Sequence, residues 1–509
     1  MIKTALISVW DKNGLDELVI FLTENNIEII STGGTQKYIE SLGINVTPVS
    51  TITGQDAIMD GRVKTLHPKI FGGILADRNN KSHIEDLNDI NAKPIDLVVV
   101  NFYPFSEEAA SKKLKLKEAI EYIDIGGPSM LRASAKNYHS VVSLCDTTHY
   151  AEFIHNYKKK RGVISEQLRL KWATKVFEIT SNYESSIYDY ISPKRNFIPD
   201  YLSMPMKLSE SLRYGENPHQ VSGFYTQIDK QLPWVQIQGK QMSYNNYSDM
   251  DSALKIVNEF ENKCCVIIKH SNPCGFGIGQ SIKECYTRAV STDPVSYFGG
   301  VVGFNREVCG DTAEELIKSF LECIIAPNFS SEALEIFKSK SNLRIVKSNH
   351  SNGKVSFNIR SVAGGFLYQQ DDYFHNSDDK FSVVSEKKPS QLDWIALKLG
   401  WKIVRFVKSN GIILADSKQL LGVGAGQMSR IDSVKIAIRK AGEGGLNLKG
   451  AILASDAFFP FHDSIELAAK YGISSIIQPG GSLNDKSVIK YANKADISMV
   501  FTGERHFYH

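Results

Sequence analysis

Cys264-Cys265-Val266-Ile267-Ile268-Lys269-His270-Ser271-Asn272-Pro273-Cys274-Gly275 is the stretch on which the reading of the fold turns. A short, β-branched apolar run reads as a buried strand. It ends on two adjacent ionisable side chains, Lys269 and His270, and then on a turn punctuated by Pro273 and Gly275. In an open α/β sheet, ligands sit beyond the carboxyl ends of strands, so chemistry belongs at this strand end. Histidine titrates near neutrality and suits general-base work; a neighbouring lysine stabilises developing negative charge or donates a proton. The competing reading is a strand followed by a solvated basic loop.

Upstream, strand and helix patterns alternate in the same way. Ala5–Val9 leads into Ser8-Val9-Trp10-Asp11-Lys12-Asn13-Gly14, and Ile27–Ile30 runs into Ser31-Thr32-Gly33-Gly34-Thr35 and a short helix. A strand followed by a hydroxyl- and glycine-rich turn and a helix start is a phosphate cradle, because backbone N–H groups and the helix dipole both face the anion. It is neither a Walker A loop nor G-x-G-x-x-G, and a plain turn competes with it. Gly61-Arg62-Val63-Lys64-Thr65-Leu66-His67 packs basic and hydroxyl side chains densely enough to hold phosphate or an oxyanion. The apolar run Ile95–Val100 predicts a buried parallel strand ending at Asn101-Phe102-Tyr103, and Asp124-Ile125-Gly126-Gly127 opens a helix whose far end carries Lys136. This alternation predicts a doubly wound α/β domain to about residue 150, followed by a helical stretch near 165–190 and a linker near 191–200.

Beyond the linker the plan recurs. Leu421-Gly422-Val423-Gly424-Ala425-Gly426-Gln427 reads as a glycine loop, and strands end at Asp456-Ala457-Phe458 and at Gln478-Pro479-Gly480-Gly481. Asp293 and Asp456 each precede a phenylalanine by five positions, which hints at two related halves. The zinc-deaminase signature needs H-x-E and then P-C-x-x-C. Pro273-Cys274 is there, but no second cysteine follows, and His270-Ser271-Asn272 lacks the glutamate, so no catalytic metal is expected.

Composition limits the classes of function. The 509 residues are 42% hydrophobic and 23% charged, ample for several cores, and a net charge of +3 argues for neither nucleic acid nor a membrane surface. Seven cysteines, odd in number and scattered through apolar segments, suit a reducing cytoplasm. The amino-terminal segment has no signal-peptide cleavage pattern, and no run approaches the ~18 apolar residues of a membrane span.

Taken together and in order, S-V-x-D-K (8–12), S-T-G-G-T (31–35), G-R-V-K-T-L-H-P (61–68), N-x-Y-P-F (101–105), D-I-G-G-P (124–128), L-R-Y-G-E-N-P-H-Q (212–220), K-H-S-N-P-C-G (269–275), G-V-G-A-G-Q-M-S-R (422–430), D-A-F-F-P-F-H-D (456–463) and Q-P-G-G-S (478–482) resemble one family over essentially the whole chain. It is the bacterial type of the bifunctional purine-biosynthesis enzymes joining 5-aminoimidazole-4-carboxamide ribonucleotide (AICAR) formyltransferase to IMP cyclohydrolase. The resemblance implies a methylglyoxal-synthase-like cyclohydrolase domain over 1–195. It implies a transformylase region over 200–509 made of two cytidine-deaminase-like α/β subdomains, about 200–370 and 385–509. It implies formyl transfer from 10-formyltetrahydrofolate to the 5-amino group of AICAR, giving FAICAR, and then dehydrative closure to IMP, with no catalytic metal, in a cytoplasmic homodimer.

By the same resemblance His270 is the base, Lys269 its electrostatic partner, and Asn410 lies near the formyl group. Arg213, Tyr214, Gly299, Arg430, Phe458 and Arg505 hold nucleotide, while Ile431, Asp463, Gly480 and Gly481 face the folate. Lys64, Tyr103, Asp124 and Lys136 serve cyclisation. Lys12, Thr32, Gly33, Gly34, Thr35, Arg62, Thr65, Asn101, Ile125, Gly126 and Gly127 bind its substrate. Trp10 departs from the family, which commonly has a small serine beside the phosphate-holding loop. Two rival readings are a nucleotide-sensing module, which would lack the Lys64/Tyr103/Asp124/Lys136 set, and a zinc nucleoside deaminase.

Overall fold

A computed structural model of the protein describes residues 1–102, 105, 108–109, 111–192, 198–227, 232–349, 357–372 and 380–509. Residues 193–197 of the expected linker, and Tyr103, lie outside the described residues. Contacts divide the chain into two compact units, Met1–Lys207 (which Gln227 joins) and the remainder to His509. No helix among the described residues is long and apolar enough to cross a membrane.

The first unit is organised by a five-stranded sheet in the order Thr47–Pro48, Glu28–Ser31, Thr4–Val9, Leu97–Asn101, Val142–Leu144. All of its pairings are parallel. Parallel strands are covered on both faces, which is why they read as unbroken apolar runs. Leu15, Leu18, Leu22, Phe153 and Trp172 pack on one face; Ile70, Ile74, Met130, Leu131 and Val176 pack on the other. Strand order reverses at Thr4–Val9, whose neighbours are Glu28–Ser31 and Leu97–Asn101. That is the switch point where such sheets open a crevice at their carboxyl edge. The helix expected near 165–190 spans Glu166–Ile191.

The second unit holds two six-stranded mixed sheets. One runs Asn272–Ile278, Cys264–Lys269, Val301–Phe304, Cys323–Ala326, Arg344–Ser348, Trp234–Gln238; the other runs Leu420–Gly424, Ile412–Ala415, Ile452–Ser455, Ser475–Gln478, Ser498–Phe501, Ser382–Val383. Position for position the pairings agree: an antiparallel hairpin, an antiparallel step to a central strand, two parallel steps, and an antiparallel edge. The two halves share one core, in which Val266, Ile268, Phe276 and Val301 meet Ile413, Ala415, Ile452 and Ala454. The repeat therefore lies in the topology. Asp293 and Asp456 are not equivalent, since Asp293 precedes the central strand of one half and Asp456 follows that of the other.

Two local expectations are corrected. The segment after Lys269 is no loop: His270 and Ser271 alone form the turn, and Asn272–Ile278 returns as an antiparallel strand with an irregularity between Pro273 and Gly275. Leu420–Gly424 is a strand as well, not a glycine loop. Its glycines exist for the helix Arg430–Glu443, which lies so close that a Cβ at Gly422 would stand 2.2 Å from the Ala437 carbonyl oxygen and one at Gly424 2.0 Å from that of Ser433. The other half repeats this: a Cβ at Gly275 would stand 2.0 Å from the Ala289 oxygen and one at Gly277 2.5 Å from that of Cys285, both on the helix Ile282–Thr292. Alternate glycines facing helix residues four apart are the shared signature of the halves.

A methyl group at these positions must displace backbone, and overpacking of this kind costs about 1–3 kcal/mol. Gly275→Ala and Gly424→Ala are each expected to lower the urea midpoint of the second unit accordingly. Gly442→Ala, in a helix with nothing within 4 Å of the added carbon, is expected to leave it unchanged or raise it slightly.

Candidate active sites

In the first unit, the carboxyl ends of three adjacent strands and one helix start gather the expected residues. Asn101, ending its strand, accepts at Oδ1 from the backbone N–H groups of Trp10 (2.6 Å) and Asp11 (2.9 Å) and donates to the Asp11 carbonyl (2.9 Å). Its amide thus clamps the Trp10–Lys12 loop. Lys12 reaches back to the Trp10 carbonyl (3.3 Å) and lies 5.9 Å from the centre of the Tyr38 ring. Trp10 itself is 45% exposed, outside the core. Thr32 precedes the helix Gly33–Ser41, and the Thr35 hydroxyl bonds both the N–H (3.0 Å) and the carbonyl (2.9 Å) of Val9. Thr35 thus ties two strand ends together, and the exposed groups of that turn are Gly33 and Gly34.

Lys64 lies over this turn: a Cβ at Gly33 would stand 3.6 Å from its Nζ. Buried Thr65 and the carboxylate of Asp124 meet the helix Gly126–Lys136 at its start, where Asp124 Oδ1 accepts from the Gly127 N–H (3.0 Å). The Asp124 N–H donates to the Tyr183 hydroxyl (2.7 Å). Burial pushes the Asp124 carboxyl above its ordinary range, against the pull of the Gly127 N–H and of Lys64. Ile125 is exposed beside it. Arg62 is exposed and grips Glu121 with one nitrogen 2.6 Å from each carboxylate oxygen. Lys136 is exposed at the other end of the helix, ten residues on and so about 15 Å along the axis.

In the second unit, His270 (φ 53°) and Ser271 (φ 60°) form the two-residue hairpin turn. Positive φ at both central positions is the geometry such turns require, and one that non-glycine residues adopt at a cost. The turn projects His270 outward, exposed, with no hydrogen bond to its ring among the described residues. Lys269 Nζ donates to the carbonyls of Phe298 (2.8 Å) and Gly299 (3.1 Å), leaving one of its three N–H donors for a ligand. Gly299 (φ 67°) lies just before the central strand, antiparallel to that of Lys269, and a Cβ there would stand 3.1 Å from the ammonium.

The two halves meet beside this turn. Asn272 Oδ1 accepts from the Lys408 N–H (2.9 Å), and Lys408 is two residues from Asn410. Asn410 is held at both ends of its carboxamide: Nδ2 donates to the carbonyls of Gln427 (2.9 Å) and Met428 (3.2 Å), and Oδ1 accepts from Arg430 Nη2 (2.7 Å). Arg430 is 8% exposed, and its other terminal nitrogen bonds Ser455 (2.8 Å) and the fully buried Asp456. Asp456 also accepts from Ser409 Oγ and from the Gly411 N–H (2.9 Å). Both Arg430 terminal nitrogens are therefore engaged within the protein, Nη2 on Asn410 and Nη1 on Ser455 and Asp456.

Most of the remaining expected residues follow strands of the second sheet, whereas Arg213 and Tyr214 follow Met206–Leu212, a strand of a separate two-stranded sheet. Ile431 and Asp463 lie in the first turns of their helices, Asp463 accepting from the Ser464 N–H (2.7 Å). Gly480 and Gly481 have positive φ, and the space above Gly481 is open. Phe458 is partly exposed, Arg505 stacks on Phe507 at 4.4 Å, and Arg213 lies over Tyr214 at 5.5 Å. A cavity of about 270 Å³ is lined by Ser409, Asn410, Gly426, Gln427, Met428, Phe507 and His509, and one of about 200 Å³ by residues that include Lys269, Asn272, Cys274, Asp293 and Lys440. Sequence reasoning missed Phe507 and His509; the signal was the aromatic and basic run Arg505-His506-Phe507-Tyr508-His509. Among the described residues no group of three or more His, Cys, Asp or Glu side chains is placed to hold a metal.

A family model described as "AICARFT/IMPCHase bienzyme" matches residues 134–440, and one described as "MGS-like domain" matches residues 14–129. Proteins named "Bifunctional purine biosynthesis protein PurH" from Bacillus mycoides (strain KBAB4), Bacillus cereus (strain Q1) and Bacillus anthracis (strain CDC 684 / NRRL 3495) are each 47% identical to the chain. Each alignment runs over 515 residues and covers 100% of this chain and 100% of the relative. A solved structure described as "Crystal structure of ForH" covers 37% of this chain and 96% of its own at 29% identity, with a TM-score of 0.34, too low to bear on the architecture.

Removing one partner of a buried ion pair leaves an uncompensated charge, at a cost of about 3–5 kcal/mol. Arg430→Met is expected to lose stability at the lower end of that range, because Ser409 and Gly411 still bond Asp456. Denaturant unfolding of the full chain checks it.

Proposed function

The chain belongs to the AICARFT/IMPCHase bienzyme family, and from that premise we propose how its two units divide the chemistry. The protein is a bifunctional AICAR formyltransferase and IMP cyclohydrolase of purine biosynthesis. A formyl-folate gives up its formyl group to AICAR, and the resulting FAICAR closes to IMP. The donor in this reading is 10-formyltetrahydrofolate, and the protein works as a cytoplasmic homodimer.

Formyl transfer belongs to the second unit. The AICAR 5-amino nitrogen is a weak nucleophile, its lone pair delocalised into the imidazole. As it attacks the formyl carbon, His270 takes its proton, and the free donor of Lys269 stabilises the tetrahedral oxyanion. The carbon–nitrogen bond to the folate then breaks, and that nitrogen takes up a proton as FAICAR forms. Asn410 orients the formyl group. Arg213, Tyr214, Gly299, Phe458 and Arg505 hold the nucleotide, and Ile431, Asp463 and the Gly480-Gly481 turn, open at Gly481, receive the folate. Arg430 serves the nucleotide side through Asn410. The observation that supports this reading is the Asn272–Lys408 hydrogen bond, two residues from His270 and two from Asn410.

Cyclisation belongs to the first unit. The carboxamide nitrogen attacks the formyl carbon and water leaves, which calls for proton movement and oxyanion support. Lys64 and Asp124, with Tyr103, supply these, and Lys136 is kept in the set on the resemblance. Lys12, Thr32, Gly33, Gly34, Thr35, Arg62, Thr65, Asn101, Ile125, Gly126 and Gly127 form the surrounding pocket, in which Thr35 and Asn101 act by holding the strand-end loops.

His270→Ala is expected to lower formyl transfer by about 10²–10⁴-fold while leaving closure of supplied FAICAR intact. Lys64→Ala is expected to do the reverse. Both activities are read on the same protein sample with AICAR plus 10-formyltetrahydrofolate and with FAICAR alone; an equal loss of both by either variant would sink the two-site division. Asp124→Asn is expected to lower closure at least about 10²-fold and yet to stabilise the first unit at neutral pH. The sign follows from burial: a carboxyl whose folded pKa lies above its unfolded value destabilises the fold once ionised. The gain is complete above the raised pKa and vanishes as pH falls below the ordinary carboxylate value, which melting at a series of pH values checks.

A further inference from the structure

His270 has no hydrogen bond to its ring among the described residues, so its position is set by backbone alone. That backbone is a turn in which both residues have positive φ, 53° at His270 and 60° at Ser271. Asn272 Nδ2 donates to the His270 carbonyl (3.1 Å) from the strand side. From the helix side the contact is Asp249, whose Oδ1 accepts from the Ser271 N–H at 2.6 Å and lies 3.5 Å from the Ser271 hydroxyl, while Ser248 Oγ and Ser271 Oγ are 2.9 Å apart.

Asp249 is well placed to hold a turn still. It lies on the helix Tyr244–Val257, whose first turn is fixed by the reciprocal cap between Ser243 and Asn246 and whose inner face is buried through Met250, Ala253 and Ile256. Burial raises the Asp249 carboxyl above its usual range, opposed by the Ser271 N–H and by the nearby charges of His270 and Lys269. A carboxylate would not be kept in such a place for solubility. We propose that Asp249 is the positioning residue of the formyl-transfer site: by accepting the Ser271 N–H it holds the hairpin turn that aims His270. This rests on His270 being the base.

Asp249→Ala is expected to lower kcat for formyl transfer by about 10²-fold, the scale of a misplacement near 1 Å, with KM for both substrates within about threefold. Asp249→Asn, which keeps an acceptor for the Ser271 N–H, is expected to recover kcat to within about threefold of the parent. The deciding measurement is a double-mutant cycle: in a His270→Ala background, Asp249→Ala is expected to cost nothing further. Additive losses, an Asp249→Ala kcat within threefold of the parent, or failure of Asp249→Asn to recover activity would each overturn the proposal. If Asp249→Ala does not fold by melting, the Asp249→Asn rate decides alone. Full formyl transfer by His270→Ala would instead defeat the assignment of the base.

Discussion

Each half of the second unit depends on a contact too close for any side chain. The hairpin strand lies with alternate glycines, 275 and 277 in one half and 422 and 424 in the other, directly against carbonyls of the following helix. That approach lets an edge hairpin lie flat on its helix and keeps it in the sheet. The central groups of the proposed formyl-transfer site are placed by these hairpins. Lys269 ends the outgoing strand of the first, His270 stands in its turn, Asn272 opens the return strand, and Asn410 leads into the second. The shared apolar core brings the two sheets together, and the Asn272–Lys408 bond joins them beside the residues proposed for formyl transfer.

Much of this was legible in the sequence, and what was not has physical reasons. Parallel strands buried on both faces write themselves as apolar runs, so Ala5–Val9 and Ile95–Val100 were readable at once. The strand end at Lys269-His270 was readable for the same reason. The direction of the next segment was not: Pro and Gly in Asn272-Pro273-Cys274-Gly275 are local turn signals, and they were overridden by a helix packed against the strand, a contact invisible in sequence. Gly422 and Gly424 misled in the same way. Arg430 shows a subtler limit. A motif match marks it as functional without saying which way its nitrogens point, and only the fold reveals that they face Asp456 and Asn410. Asp249, Phe507 and His509 gave no periodic signal, since tertiary structure alone brings Asp249 to Ser271 and the other two to the cavity beside Asn410.

The two proposed sites place their candidate reactive groups differently. In the first unit, Asp124 sits at a helix start, where backbone N–H groups and the helix dipole favour a carboxylate, and burial works against them. Two fixed influences on that carboxyl oppose each other, and burial prevails. In the second unit, His270 is exposed with no hydrogen bond to its ring among the described residues, so in the proposed role its placement comes from the chain.

Magnitudes indicate how narrow that arrangement is. A left-handed conformation costs a non-glycine residue about 1–2 kcal/mol, so the His270-Ser271 turn carries roughly 2–4 kcal/mol of strain. One hydrogen bond to a carboxylate returns about 1.5–3 kcal/mol. The turn is therefore close to balance on the strength of Asp249 alone, and the hairpin ladder beyond Asn272 supplies the remainder. Asn-Gly would form the same turn with far less strain. A histidine in its place fits the proposed role, in which the side chain is what the position presents.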